Sequence, residues 1–135
     1  MTYKSLLAFL FIALSGSVAM ADTAQVTGSA FYRERIALPP STIVEVTLED
    51  VSLADAPSKT IAATTLDGQS GPPYAFTLEY DSAVIEPTAR YSVRATIRNE
   101  GVLWFTTDTM VPVITNGAPS EVDLLLVRVA QETAQ

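Results

Sequence analysis

Arg94 and Arg98 stand four residues apart in a segment that alternates polar and apolar side chains, and Arg90 precedes them at the same spacing. Strand side chains point alternately to opposite faces, so Arg90, Ser92, Arg94, Thr96 and Arg98 share one face. A turn at Asn99-Glu100-Gly101 returns the chain antiparallel, with Gly101 supplying a positive φ. With those three residues as the loop, Arg98 lies opposite Val102, Thr96 opposite Trp104, Arg94 opposite Thr106 and Ser92 opposite Asp108. The single tryptophan then stands on the outer face between two guanidiniums. Arg94, Arg98 and Trp104 are therefore the candidate binding residues, because an exposed aromatic ring beside arginines can take a peptide or a glycan ring. The same stripe has a plainer use. Glu45 and Glu49 share the four-residue spacing, about 13 Å along a strand. If the two strands are neighbours, the charges form a cross-strand ladder.

Little else in the chain can do chemistry. Its 135 residues include no cysteine and no histidine. That removes disulfides, thiol nucleophiles, Cys/His zinc sites and catalytic pairs built on histidine. Beyond residue 21 the only lysine is Lys59, on a weak strand near a loop, where nothing marks it as the buried, pKa-lowered lysine of a Ser-Lys dyad. Glu49, Asp50 and Asp55 flank a loop with oxygen ligands but without EF-hand spacing, which reads as a solvated acidic loop. No glycine-rich phosphate loop is present. The expectation is a protein that is not an enzyme, with no catalytic residue, cofactor or metal. The 15 acidic and 8 basic residues give a formal charge of -7, and an acidic chain does not track a phosphate backbone, so nucleic acid is not an expected partner.

The elements that must hold the stripe are strands. Residues 1–21 read first as an address: Lys4, an apolar run from Leu6 to Leu14, and Ala19-Met20-Ala21 before a cut at Asp22 make a secretory signal peptide. The run is short of the ~20 residues that cross a bilayer. Residues 22–135 form one domain with its core between 26 and 129, exported to the periplasm and, with no cysteine at the cut, not lipid-anchored. Period-two alternation predicts strands over 26–33, 42–51, 59–66, 74–80, 91–97, 102–109 and 122–129, with 110–114 as an extension past Pro112. Leu38-Pro39-Pro40, Asp67-Gly68, Gly71-Pro72-Pro73 and Asn116-Gly117-Ala118-Pro119 punctuate them. One helical turn follows Asp81, whose carboxylate can accept from free amides. The expected fold is all-β: a single antiparallel β-sandwich of about seven strands, immunoglobulin-like or transthyretin-like. Tyr91 opens a strand after a corner loop, the place of a tyrosine corner whose hydroxyl bonds to upstream backbone.

Tyr32-Arg33-Glu34-Arg35-Ile36-Ala37-Leu38-Pro39-Pro40, the run from Gly71 to Asp81, Tyr91-Ser92-Val93-Arg94-Ala95 and Phe105-Thr106-Thr107-Asp108-Thr109 occur in that order. Together they resemble the YbaY family of bacterial envelope proteins, grouped with YscW, the lipoprotein pilot or chaperone of type III secretion. The resemblance runs over about Val26 to Val129. It implies a small β-sandwich in a Gram-negative envelope and a non-enzymatic helper role, and it carries over no catalytic residue. The functional expectation is a soluble periplasmic accessory or binding protein whose partner is an envelope protein or a glycan. The alternatives are a secretin pilot or chaperone and an envelope polysaccharide-binding module. Tyr74 and Tyr80 would join Trp104 in the glycan reading if exposed. The missing cysteine sets this chain apart from the lipoprotein members.

Overall fold

The computed structural model describes residues 22–130. The predicted signal peptide over residues 1–21 lies outside the described residues. Eight strands follow in order: β1 (Thr23–Phe31), β2 (Thr42–Asp50), β3 (Lys59–Asp67), β4 (Tyr74–Asp81), β5 (Tyr91–Asn99), β6 (Val102–Thr107), β7 (Pro112–Val113) and β8 (Glu121–Arg128). Two single turns of 3-10 helix, Gly68–Ser70 and Ser82–Val84, replace the one expected.

Local sequence accounts for most of these elements. In β4, Tyr74, Phe76, Leu78 and Tyr80 are buried while Ala75, Thr77, Glu79 and Asp81 are exposed, the two-residue period of a strand with one wet face. In β2 the buried residues are Thr42, Val44, Val46 and Leu48. Each 3-10 turn starts from an aspartate. The Asp81 carboxylate accepts from the Ala83 N–H at 2.9 Å, as the capping argument requires, and Asp67 accepts from the Gln69 N–H at 2.9 Å. β1 stops at Phe31, two residues earlier than expected. Arg33, Glu34 and Arg35 are exposed beyond its end, where their charges stay hydrated. The expected sixth strand is divided into β6 and β7 before Pro112, which lacks a ladder donor.

The strands pair in the order β3-β2-β5-β6-β8-β1-β4, with β7 against the start of β5. β1 and β8 run parallel, whereas the other pairs are antiparallel. The end strands β3 and β4 are consecutive in sequence and touch, so one continuous sheet curls into a nearly closed barrel with its seam between them. The expected all-β class is met, and the expected sandwich of immunoglobulin or transthyretin type fits only in part, because the sheet continues round toward closure. Alternation marks which residues face inward. It does not say which strand lies beside which, and the parallel β1–β8 pair is a long-range contact that no local pattern records.

The barrel interior is filled from all sides. Phe105 and Leu124 are fully buried, and Leu126 nearly so. The Tyr32 ring stacks on Phe105 with centroids 4.7 Å apart and lies 6.5 Å from Tyr74. Both tyrosines keep their hydroxyls bonded: Tyr32 donates to the Ile36 carbonyl at 3.0 Å and Tyr74 to the Gly68 carbonyl at 2.7 Å. Tyr91 is buried, and its hydroxyl accepts from the Glu86 N–H at 2.9 Å. That is the upstream backbone bond expected of a tyrosine corner, here in a barrel.

Gly28 pairs with Val122 across the parallel join. A Cβ at this position would stand 1.7 Å from the Val122 carbonyl oxygen, so any side chain forces β1 and β8 apart. We expect Gly28→Ala to lower stability by about 3 kcal/mol, the upper end of ordinary overpacking, read as the midpoint of urea unfolding.

Burial pushes the Tyr74 phenol above its ordinary range, and its contact with Tyr32 adds to the shift. Burial also raises Tyr80. A phenol raised in the folded state stabilises the fold below the unfolded value of about 10 and loses that contribution as pH rises above it. Stability should therefore fall on alkalinisation past pH ~10, and phenolate absorbance from these two rings should appear together with unfolding. Phenolate from Tyr74 and Tyr80 at pH ~10 in a folded chain would contradict this.

Candidate binding surface

β5 sits centrally, with β2 along one edge and β6 and β7 along the other. Tyr91, Val93, Ala95 and Ile97 are buried on its inner face. The outer side is less uniform than the sequence implied. Arg90, Arg94 and Arg98 are exposed, but Ser92 and Thr96 are only 6% and 8% accessible. The chain folds back over Ser92: Pro112 pairs with it, and its hydroxyl accepts from the Val111 N–H at 3.2 Å.

Register then arranges the charges. β2 pairs with β5 so that Ile43 opposes Arg98, Glu45 opposes Thr96, Thr47 opposes Arg94 and Glu49 opposes Ser92. Along this face the charges therefore alternate as Arg98, Glu45, Arg94, Glu49. Each arginine is diagonal to a glutamate, the longer of the two cross-strand neighbour relations. The strands are neighbours, as the ladder reading requires. Among the described residues, however, no arginine comes within 4.0 Å of a carboxylate. The side chains line two adjoining hollows. One, of about 350 Å³, is walled by Ile43, Glu45, Thr65, Arg98 and Gly101. The other, of about 200 Å³, is walled by Glu45, Thr47, Glu49, Thr60, Arg94 and Arg98. Glu45 and Arg98 are shared, so the hollows form one trough, apolar at the Ile43 end and polar beyond it.

The turn that ends the trough is rigidly placed. Asn99 donates to the Pro40 carbonyl and to the Thr42 hydroxyl, both at 3.1 Å, and Thr42 donates to the Pro39 carbonyl at 2.7 Å. These bonds tie the Pro39-Pro40 bend to the β5–β6 hairpin.

Trp104 is not paired with Thr96 between the arginines. The hairpin turn has two residues, Glu100 at φ 48° and Gly101 at φ 81°, the left-handed pair of a type I′ turn. Asn99 therefore pairs with Val102 and Arg98 with Leu103, and a bulge follows, so that Ile97 meets Phe105 and Thr96 meets Thr106. The expected partners, Val102 for Arg98, Trp104 for Thr96 and Thr106 for Arg94, are each corrected. The expected loop of Asn99, Glu100 and Gly101 is one residue longer than the turn observed. The shorter turn would send Phe105 outward, and the bulge restores it to the core. Trp104 falls at that irregularity, half-buried against the core, with its carbonyl accepting from the Val129 N–H at 2.9 Å. Tyr74 and Tyr80 are buried, so they present no rings for sugar stacking. The residues missed by sequence reasoning are Ile43 and Thr47. Their alternation with Val44, Val46 and Leu48 put them on the outer face with Glu45 and Glu49, but only the β2–β5 register sets them against the arginines.

The acidic loop after β2 is also internally engaged. Asp50 accepts from the Ser52 hydroxyl at 2.6 Å and the Ser52 N–H at 2.9 Å, which hold its carboxyl below the usual range. Among the described residues no three acidic groups come together as a metal site.

Fold and trough together define a small all-β domain, a nearly closed sheet with a mixed-charge outer surface. The chain matches the model of "Type III secretion system lipoprotein chaperone (YscW)" over residues 21–126, and it belongs to that family. It is 43% identical over 108 residues to "Uncharacterized lipoprotein YbaY" of Escherichia coli (strain K12), a match covering 78% of this chain and 56% of that protein. The chain thus spans little more than half the length of this curated relative. Among solved structures it resembles an alternative pilotin from the type II secretion system of Vibrio cholerae. That match has 45% identity and a TM-score of 0.77, and covers 82% of this chain and all of the pilotin chain.

Arg94→Ala and Arg98→Ala remove exposed side chains, so each should change folding stability by no more than ~0.5 kcal/mol. Trp104 fluorescence in the same variants should be quenched by acrylamide to a degree between a free and a fully buried indole. An indole as accessible as the free amino acid would contradict the bulged register.

Proposed function

We propose that this protein is a non-catalytic accessory protein of the bacterial cell envelope, of the pilotin or chaperone kind, working in the periplasm. It holds a segment of an envelope protein along the trough between β2 and β5. The observation that carries this reading is the alternation Arg98, Glu45, Arg94, Glu49 on one exposed face. Opposite charges at fixed spacing give a partner both a register and an orientation, and they suppress wrong partners more than they add affinity. The apolar end near Ile43, which is half-exposed, offers a place for one hydrophobic side chain of the bound segment. The family description supports a helper role, since it names a secretion chaperone, and the similar solved structure is that of a secretion pilotin. Arg94 and Arg98 are the proposed contact residues. Trp104, half-buried against the core, acts at one remove by supporting the strand that carries it.

The test is site-specific photocrosslinking in cells from position 47, opposite Arg94, with the captured proteins identified by mass spectrometry. The expected product is a secretion-system or other envelope protein, reduced roughly 10-fold by combined Arg94→Glu and Arg98→Glu, in keeping with two lost charge contacts. Adduct yield unchanged by the double reversal, in protein shown to be folded, would reject the trough as the binding face. Turnover of a small substrate by the purified chain would reject the non-catalytic role.

A further inference from the structure

A second cavity lies away from the trough, where β7 crosses the start of β5. It has a volume of about 410 Å³, within the range of small-molecule sites. Tyr91, Met110, Pro112, Val113 and Ala118 give it apolar walls, and among the described residues Arg90 is the only charged one lining it. In a chain of net charge -7, a cavity whose described lining carries a guanidinium and no carboxylate has the opposite polarity to the molecule as a whole.

Its shape is built in at the cost of backbone strain. Ile114 sits at φ 71°, where a β-branched residue is a true outlier. The Thr115 N–H closes back on the Val113 carbonyl at 2.8 Å, forming a three-residue turn, and such turns at positive φ are rare and strained. Asn116 at φ 59° and Gly117 at φ 77° then complete a tight turn, with the Ala118 N–H on the Thr115 carbonyl at 3.1 Å. The Thr115 hydroxyl anchors the loop by donating to the Ala89 carbonyl at 2.6 Å. Strain of this kind concentrates at ligand clamps, where the surrounding structure holds it. Here it sets Thr115, Asn116 and Ala118 as one wall of the cavity. Met110 is 63% exposed at the mouth, and its flexible thioether can adapt to an alkyl chain.

We infer that this cavity binds a single-chain anionic amphiphile, a medium-chain carboxylate, with its alkyl body against Tyr91, Val113 and Ala118 and its head on Arg90. The Arg90 guanidinium can hold a carboxylate through two parallel hydrogen bonds. Its backbone is already fixed, since the Arg90 N–H donates to the Ser52 hydroxyl at 2.8 Å and its carbonyl accepts from the Val51 N–H at 2.9 Å. Substituting the side chain therefore leaves these anchors in place.

Met110 is the only methionine among the described residues, so its ¹³C-methyl resonance, assigned through Met110→Leu, reports on the cavity directly. Titrating the purified protein with sodium decanoate below its micellar concentration should shift this resonance saturably. Decanol should bind more weakly for want of a head group, acetate should not bind, and decyltrimethylammonium should be excluded. Arg90→Gln should weaken decanoate roughly 10-fold, as expected for a lost charge-assisted bond. Ala118→Trp, checked for folding by thermal denaturation, should abolish binding by filling the cavity. The inference is overturned if decanoate produces no saturable shift, if the cationic amphiphile binds as well as the anionic one, or if Arg90→Gln leaves affinity unchanged. None of these outcomes bears on the trough, because Arg94 and Arg98 do not line this cavity.

Discussion

The backbones of β1 and β8 meet at Gly28 with no room for even a methyl group. This contact joins the β1–β4 pair to the rest of the sheet, because among the described residues β1 pairs with β4 on one edge and β8 on the other. Apolar burial in the barrel follows from the join. Val26 and Ala30 on β1 can be fully buried only if β1 stays beside β8, where Leu124 and Leu126 face the same interior. A strand pushed outward by a side chain at 28 would lose ladder hydrogen bonds and open the core together.

The closed arrangement frees β5 for two tasks. Flanked on both edges, it gives its inner face wholly to the core and needs no outer cover to remain a strand. Its outer arginines can therefore stay in water, where a single exposed ion pair would contribute little to stability. Charges on a face that does not need them for folding are free for the recognition role proposed above. The same strand shapes the second cavity, since Arg90 and Tyr91 stand where β5 begins and β7 crosses it. Both surfaces thus depend on one central element, yet they differ in chemistry: alternating charge along the trough, and a single cation above an apolar floor at the strand's start.

Several features could be read from residues alone because their causes are local. The β4 face of Tyr74, Phe76, Leu78 and Tyr80 follows from alternation, and the turn after Asp81 follows from a carboxylate placed before free amides. Tyr91 combines the two, a strand-initial aromatic with a hydroxyl that needs a partner, and it finds one five residues upstream. Arg94 and Arg98 were legible as exposed outer-face residues for the same reason. Trp104 was not. Its orientation depends on whether the hairpin turns over two residues or three, and a one-residue change in register reverses the facing of a strand. The burial of Phe105 decided the matter by imposing a bulge, and that constraint becomes visible only when the core is assembled.

By itself, the sequence determined an all-β chain, its inward and outward residues, its acidic character and its lack of the thiol and imidazole groups on which much catalysis relies. These are properties of residue type and two-residue periodicity, which act over a few positions of chain. Tertiary structure alone decided that the sheet curls toward closure, that Ser92 is covered, that Glu45 and Glu49 interleave with the arginines, and that Trp104 falls at a bulge and not opposite Thr96. Each of these is a pairing between residues far apart in the chain, fixed by backbone hydrogen bonds and by the volume of a shared core.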